Sequence, residues 1–102
     1  MYYVAEAVYR SPLPCSQEEL DTVLMPAHAA HVQAGAAAGK VLLGGPKAEQ
    51  PGGFLILQAD SRAELDEFLN RDPLVVHGVQ DFKVTAWRIF DTAPGLEQIK
   101  RK

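Results

Sequence analysis

The chain has 102 residues, of which 47% are hydrophobic and 23% charged, and its net charge is −3. This length predicts a single domain with a core of its own, and the composition is typical of a soluble globular protein. Basic residues are scattered except for the terminal Lys100, Arg101 and Lys102, which are expected to form a solvated end, so nucleic-acid binding is not expected.

The single cysteine, Cys15, excludes an internal disulfide and a metal site built from several thiolates. No apolar run approaches the roughly 18 residues that a membrane span needs. The N-terminal segment lacks a basic region and carries Glu6 among its apolar residues, which argues against a signal peptide. The expected location is therefore the cytoplasm.

The first half of the chain predicts a strand followed by helix. Residues 2–10, YYVAEAVYR, are rich in aromatic and β-branched side chains on both faces and predict the first strand. A proline-containing loop ends it, and the spacing of Ser16 and Glu19 matches a capping box that predicts a short helix near 17–24. The main helix is predicted over 26–38.

Pro26 sets the predicted boundary between these helices. A proline costs little at the first helical position but about 3 kcal/mol in a helix interior. A single kinked helix through Pro26 is the alternative. On the main helix His28 lies one turn before Val32 on the face expected to meet a sheet, and His31 points towards the more exposed side. Gly39 is well placed as the left-handed stop.

The second half predicts three more strands and one helix. The strands are predicted at 40–45, 54–59 and 82–90, with a glycine- and proline-rich loop between the first two. Ser61 and Glu64 repeat the capping-box spacing and begin a helix that runs to about Asn70. A connector with one helical turn after Pro73 joins that helix to the last strand.

The order of elements, βαββαβ, predicts an α+β, ferredoxin-like fold. Its four-stranded antiparallel sheet carries the helices on one face. We expect this domain to cover residues 1–92, with a C-terminal tail at 93–102. The strands are apolar on both sides, so the face without helices should be an interface, and we expect a homodimer through the sheet faces.

An ordered set of landmarks resembles the YCII-related family over roughly residues 1–90. The landmarks are P-A-H at 26–28, Gly39, LLGGP at 42–46, Gly52-Gly53, Asp72-Pro73 and Gly78-Val79. The resemblance implies a dimeric α+β barrel and an active site made from a histidine and an aspartate, here His28 and Asp72. One position departs from the pattern: Met25 stands where relatives often have an arginine.

The same two residues attract attention on chemical grounds. A carboxylate that accepts a hydrogen bond from one imidazole nitrogen fixes the tautomer, and the other nitrogen is then free to move a proton. His28 with Asp72 is therefore the candidate catalytic pair. The alternative is an ion pair that only ties two helix ends together. No serine or cysteine stands out as a nucleophile.

Other candidate sites are weaker. His28 and His31, with His77 or Asp72, are poorly arranged for a metal, and the loop at 44–53 lacks the lysine and serine of a phosphate-binding loop. That loop is a more plausible rim over a pocket. Four aromatic residues are candidates either for that pocket or for the core: Tyr3, Tyr9, Phe54 and Trp87.

The sequence therefore predicts a small enzyme of the lyase or isomerase type, acting on a small carbonyl or phenolic compound. His28 serves as general acid or base and Asp72 orients it, with neither a cofactor nor a metal. The alternative hypothesis is a non-catalytic homodimer that only binds a small ligand.

Overall fold

One antiparallel sheet of four strands forms the centre of the protein, in a computed structural model that describes residues 1–100. The strands lie in the order β2-β3-β1-β4. Their bounds are β1 Tyr2–Tyr9, β2 Val41–Pro46, β3 Gly53–Gln58 and β4 Gln80–Trp87. The helices are α1 Gln17–Glu19, α2 Met25–Ala37, α3 Arg62–Asn70, α4 Pro73–Val76 and α5 Glu97–Lys100, with a π-helical turn at Leu20–Leu24. The predicted α+β, ferredoxin-like fold is confirmed.

The first strand determines where its neighbours end. β1 pairs with β3 on one side and with β4 on the other, both antiparallel. Tyr9 lies opposite Gln80, and Tyr2 lies opposite Trp87. The last strand therefore begins and ends earlier in the chain than the predicted range of 82–90. Residues 88–90 have no partner beyond the start of β1, whereas residues 80 and 81 pair with its end.

The helical backbone continues through Pro26, so the predicted break into two helices was wrong and the single distorted helix is correct. In a regular α-helix the proline ring would crowd the carbonyl of Thr22, four residues earlier. The π-helical turn widens the backbone just before the proline, with the amide of Met25 donating to the carbonyl of Leu20. The helix then ends at Gly39, whose φ of 79° is the left-handed stop expected there.

Gly35 allows α2 to approach α3 and β2 closely. A Cβ atom at Gly35 would lie 2.4 Å from the ring of Phe68 on α3 and 3.1 Å from Val41 on β2. His31 completes this contact: its ring stacks on Phe68 at 4.4 Å, and its Nε2 is 2.8 Å from the backbone oxygen of Phe68. His31 was expected to be exposed, but the stacking makes it a packing residue.

The helix-side face of the sheet holds the main core. Alternate residues of the central strands, among them Tyr3, Ala5 and Leu57, are buried there beneath Leu65 and Leu69 of α3. A second cluster joins the helical segment before α2 to α4 and the start of β4. Its members are Leu20, Leu24, Leu74 and Val79. This cluster fixes the position of α4 under the start of α2.

The opposite face of the sheet, which we call the outer face, is apolar and largely uncovered. Its exposed members include Val8, Leu43, Phe54 and Trp87, each between 44% and 51% exposed. At one end the C-terminal segment covers the sheet, since the hydroxyl of Tyr2 donates to the carbonyl of Ile99 in α5. Part of the predicted tail at 93–102 is thus in contact with the sheet, while Arg101 and Lys102, which belong to the predicted solvated end, lie outside the described residues.

No helix within residues 1–100 is long and apolar enough to cross a membrane.

Replacing Gly35 by alanine should lower the free energy of unfolding by about 1–2 kcal/mol. The added Cβ must displace the stacked Phe68 ring, which outweighs the gain in helix propensity. Urea denaturation would measure this loss. In the double variant Gly35→Ala/Phe68→Leu the losses should be less than additive, because the leucine vacates the space that the new methyl group needs. Strict additivity of the two losses would refute the steric explanation.

Candidate active site

His28 and Asp72, which are 44 positions apart in the sequence, are in direct contact. The Nδ1 atom of His28 lies 2.7 Å from Oδ2 of Asp72. The histidine comes from the first turn of α2, and the aspartate immediately precedes α4. The carboxylate is almost fully buried, with 2% of its side chain exposed, whereas the imidazole retains 23%. The geometry on which the proposed pair depends is present.

Local sequence explains the position of Asp72. The following Pro73 favours an extended backbone at Asp72, whose φ and ψ are −60° and 126°. In that conformation Oδ1 accepts a hydrogen bond of 2.9 Å from the amide of Leu74 and caps α4. The side chain of Leu74 is buried in the second core cluster, so the cap is anchored. Each carboxylate oxygen therefore has its own donor.

The contact also determines which nitrogen of His28 can react. A carboxylate can only accept, so Nδ1 carries the proton and donates to Asp72. Nε2 then bears the free lone pair. No other residue of the described part of the chain forms a hydrogen bond to this ring. The arrangement suits a general base or acid whose reactive atom is Nε2.

A cavity of about 580 Å³ lies beside His28, between α2 and the helix-side face of the sheet. This volume is in the range of sites for small molecules. Ala29 and Val32 form its helical wall, and Leu55 and Phe82 belong to its sheet wall. The loop between β2 and β3 forms the rim, as the sequence suggested. No lysine or arginine of the described residues lines the cavity.

The four aromatic candidates are divided between different environments. Tyr9 lines the cavity, and Tyr3, on the same face of the sheet, is buried in the main core. Phe54 also borders the cavity, but it lies opposite Glu6 in the β1–β3 pairing, so its side chain belongs to the outer face, as that of Trp87 does. Of the four candidates, Tyr9 fits the predicted pocket and Tyr3 the core.

Two polar side chains on the sheet wall are cross-strand neighbours, Tyr9 on β1 and Gln80 on β4. Within residues 1–100 the hydroxyl of Tyr9 has only the sulfur of Met25 as acceptor, at 3.6 Å. Burial raises the pKa of Tyr9, and the negative charge of Asp72 raises that pKa further. The phenol therefore stays protonated well above neutral pH.

Gln80 was missed by sequence reasoning. It is 1% exposed, and its Nε2 has no hydrogen-bond partner within the described residues. Leaving such a donor unpaired costs about 1–3 kcal/mol. The signal was present as a polar residue at an inward position of β4, but the strand was predicted to begin at residue 82.

The weaker metal hypothesis finds no geometric support. Nδ1 of His28 contacts Asp72, whereas Nε2 of His31 contacts the backbone oxygen of Phe68 on α3, so the two imidazoles have different partners. Across residues 1–100 no three histidine, cysteine, aspartate or glutamate side chains are grouped so that they could hold a metal ion.

The architecture and the cavity define a ferredoxin-like α+β protein with room for a small molecule. The YCII-related domain matches residues 1–88, and the chain belongs to this family. No curated protein matches the sequence.

The solved structures that are similar to this chain include two enzymes. One is the 5-chloro-2-hydroxyhydroquinone dehydrochlorinase of Burkholderia phenoliruptrix, in complex with 2,5-dihydroxybenzoquinone. It is 26% identical, with a TM-score of 0.69, and the match covers 85% of this chain and 93% of the dehydrochlorinase. The other is muconolactone isomerase, at 16% identity and a TM-score of 0.72, with 93% of both chains covered. The second likeness concerns the fold alone.

Replacing Asp72 by alanine should lower the free energy of unfolding by about 2–3 kcal/mol, because it removes a helix cap and leaves Nδ1 of His28 without its acceptor. Asp72→Asn should lose less, since an amide oxygen can still cap α4. Thermal unfolding of both variants would measure the difference. Equal losses would contradict the separate roles given to the two carboxylate oxygens.

Proposed function

We propose that this protein is a small enzyme that moves a proton on a small carbonyl or phenolic compound without a cofactor. His28 is the general base and acid, and Asp72 orients it. The observation that carries this proposal is the free Nε2 of His28 beside a cavity of ligand size, with Nδ1 held by the buried carboxylate.

In the proposed reaction Nε2 takes a proton either from the carbon next to a carbonyl or from the hydroxyl of a phenol. The electron pair of the broken C–H bond moves onto the carbonyl oxygen and gives an enolate, whereas the pair of the broken O–H bond stays on the oxygen and gives a phenolate. The enolate then expels a leaving group from the neighbouring carbon, or either anion is reprotonated by His28 at another carbon. The first outcome is a lyase reaction and the second an isomerisation, and Asp72 stabilises the imidazolium present between the two steps.

The comparison with the dehydrochlorinase supports this class of reaction. Its name denotes the loss of hydrogen chloride from a hydroxylated ring, and its structure holds a small oxygenated ring. Loss of hydrogen chloride includes the removal of a proton, which is the step assigned here to His28. The substrate itself is not transferred to this chain.

Met25 restricts the substrate further. It lies immediately before Pro26, where the resemblance leads one to expect an arginine, and its side chain lines the cavity. With no lysine or arginine among the described lining residues, the cavity offers no cation to bind a carboxylate or phosphate. A compound without a strongly anionic group fits such a wall.

Replacing His28 by glutamine should reduce turnover about 100-fold or more, the usual contribution of a general base. Chloride release from 5-chloro-2-hydroxyhydroquinone and deuterium incorporation from solvent into cyclohexanone, an uncharged ring ketone, are suitable assays. His77→Gln is the matched control, because His77 is exposed and does not line the cavity.

Equal rates for wild type and His28→Gln would contradict the proposed role of His28. If both proteins bind these compounds and neither converts them, the non-catalytic ligand-binding hypothesis is favoured instead.

We also propose that two copies of the chain pair through their outer faces. Four large apolar residues on this face are about half exposed in the single chain: Val8, Leu43, Phe54 and Trp87. Apolar surface of this kind is rarely left open to water in a monomer. A second copy provides an equivalent face, as expected for a symmetric dimer.

The variant Leu43→Glu should shift the protein towards monomer, because two glutamates would be buried close to the dimer axis or against an apolar partner face. Sedimentation velocity at micromolar concentration would measure this. The control is Val23→Glu, which places the same charge on an exposed residue of the π-helical turn. A wild-type protein that sediments as a monomer would rule out the pairing.

A further inference from the structure

Gln80 is a buried amide whose hydrogen-bonding capacity is not used by the protein. It is 1% exposed, and no described residue accepts from its Nε2. Buried polar atoms in folded proteins nearly always have a partner, so each exception needs a reason. Gln80 lines the cavity beside His28, which places the unused amide next to the space for a ligand.

Tyr9 presents a second underused donor on the same wall. It lies directly opposite Gln80 in the β1–β4 pairing, and the two side chains share the helix-side face. The acceptor of its hydroxyl is the sulfur of Met25, at 3.6 Å. A thioether is a weak acceptor, so an oxygen atom of a ligand would replace it readily.

We propose that Tyr9 and Gln80 form a donor pair that binds a carbonyl or phenolic oxygen of the substrate and so selects oxygenated rings over their apolar analogues. This inference rests on the function proposed above, since it assigns the binding of the oxygen whose neighbouring carbon reacts at His28. Both residues would contact the substrate directly.

The electrostatics of the wall fit this role. The raised pKa of Tyr9 keeps its hydroxyl protonated, so it remains a donor while charge develops on the substrate oxygen. Gln80 is a neutral donor and adds no charge to the cavity. Because no lysine or arginine of the described residues lines the cavity, neutral donors must stabilise an enolate or phenolate, and Tyr9 and Gln80 supply two of them on the sheet wall.

The apolar remainder of the cavity makes the pair selective. Ala29, Val32 and Phe82 hold a ring equally well whether it carries a hydroxyl or a methyl group. The donor pair distinguishes these substituents, since a hydroxyl can accept from both donors whereas a methyl group would leave both unpaired. Binding preference between two such rings therefore reports on Tyr9 and Gln80 separately from catalysis.

The test compares the affinities of 4-nitrophenol and 4-nitrotoluene in mildly acidic buffer, where the phenol is un-ionised and the two compounds differ only in a hydroxyl against a methyl group. Calorimetric titration of the wild type should show a preference for 4-nitrophenol of about tenfold or more, the value of a single hydrogen bond. Gln80→Met and Tyr9→Phe should each lose most of this preference through weaker binding of 4-nitrophenol. Their affinity for 4-nitrotoluene should stay within about twofold, because neither change alters the apolar walls.

Two controls separate the donor pair from general effects. Gln33→Met makes the same chemical change at an exposed residue of the cavity rim and should keep the wild-type preference. Gln80→Met should also unfold at an equal or higher urea concentration than the wild type, since it removes an unpaired buried donor. If Gln80 served only to stabilise the fold, Gln80→Met would instead unfold at a lower urea concentration than the wild type.

The inference is overturned if Gln80→Met and Tyr9→Phe keep the preference for 4-nitrophenol, or if the wild type has none. A preference that is lost in both variants, in a protein that converts no substrate, would leave the donor pair standing and remove the enzymatic proposal. If His28→Gln loses turnover while the Gln80 and Tyr9 variants keep the preference for 4-nitrophenol, the enzymatic proposal stands and the donor pair is overturned.

Discussion

The carboxylate of Asp72 is the constraint on which the site depends. It is buried, and its two oxygens are divided between the amide of Leu74 and the imidazole of His28. A buried carboxylate is tolerated only where such donors are supplied. The same side chain therefore begins α4, connects α4 to α2 and fixes the tautomer of the histidine. Folding and the orientation of the imidazole are linked at this point, because the carboxylate that contacts His28 is the one that caps α4.

The sheet serves two different purposes on its two faces. On the helix side, large residues fill the space under α3, but α2 leaves a cavity at the end where Tyr9 and Gln80 face His28. On the outer face, apolar residues remain open and favour a second copy of the chain. The polar residues of the cavity are placed by strand register, so the pairing of Tyr9 with Gln80 follows from the alignment of β1 with β4.

Most of the fold could be predicted from local signals. Two serine caps and the glycine stop at Gly39 are each determined by a few neighbouring residues, and all are found where expected. The contact of His28 with Asp72 was expected from family resemblance, since no local rule links residues 44 positions apart. The limits of β4 could not be predicted locally, because they depend on its pairing with β1. The inward position of Gln80 follows from the same pairing. The burial of His31 likewise depends on Phe68, which belongs to another helix.

The π-helical turn before Pro26 has a consequence for how this family can vary in length. Such a turn contains one residue more than the regular helix that it interrupts. Deleting one residue between Leu20 and Leu24 would restore regular bonding, but it would rotate one side of the helix against the other by about 100°. Either the leucines of the second core cluster would leave their places, or the imidazole would face away from the aspartate. The additional residue therefore allows one continuous helix both to bury the leucines of the second core cluster and to turn His28 towards Asp72. We expect a sequence that keeps both contacts to keep the length of this segment.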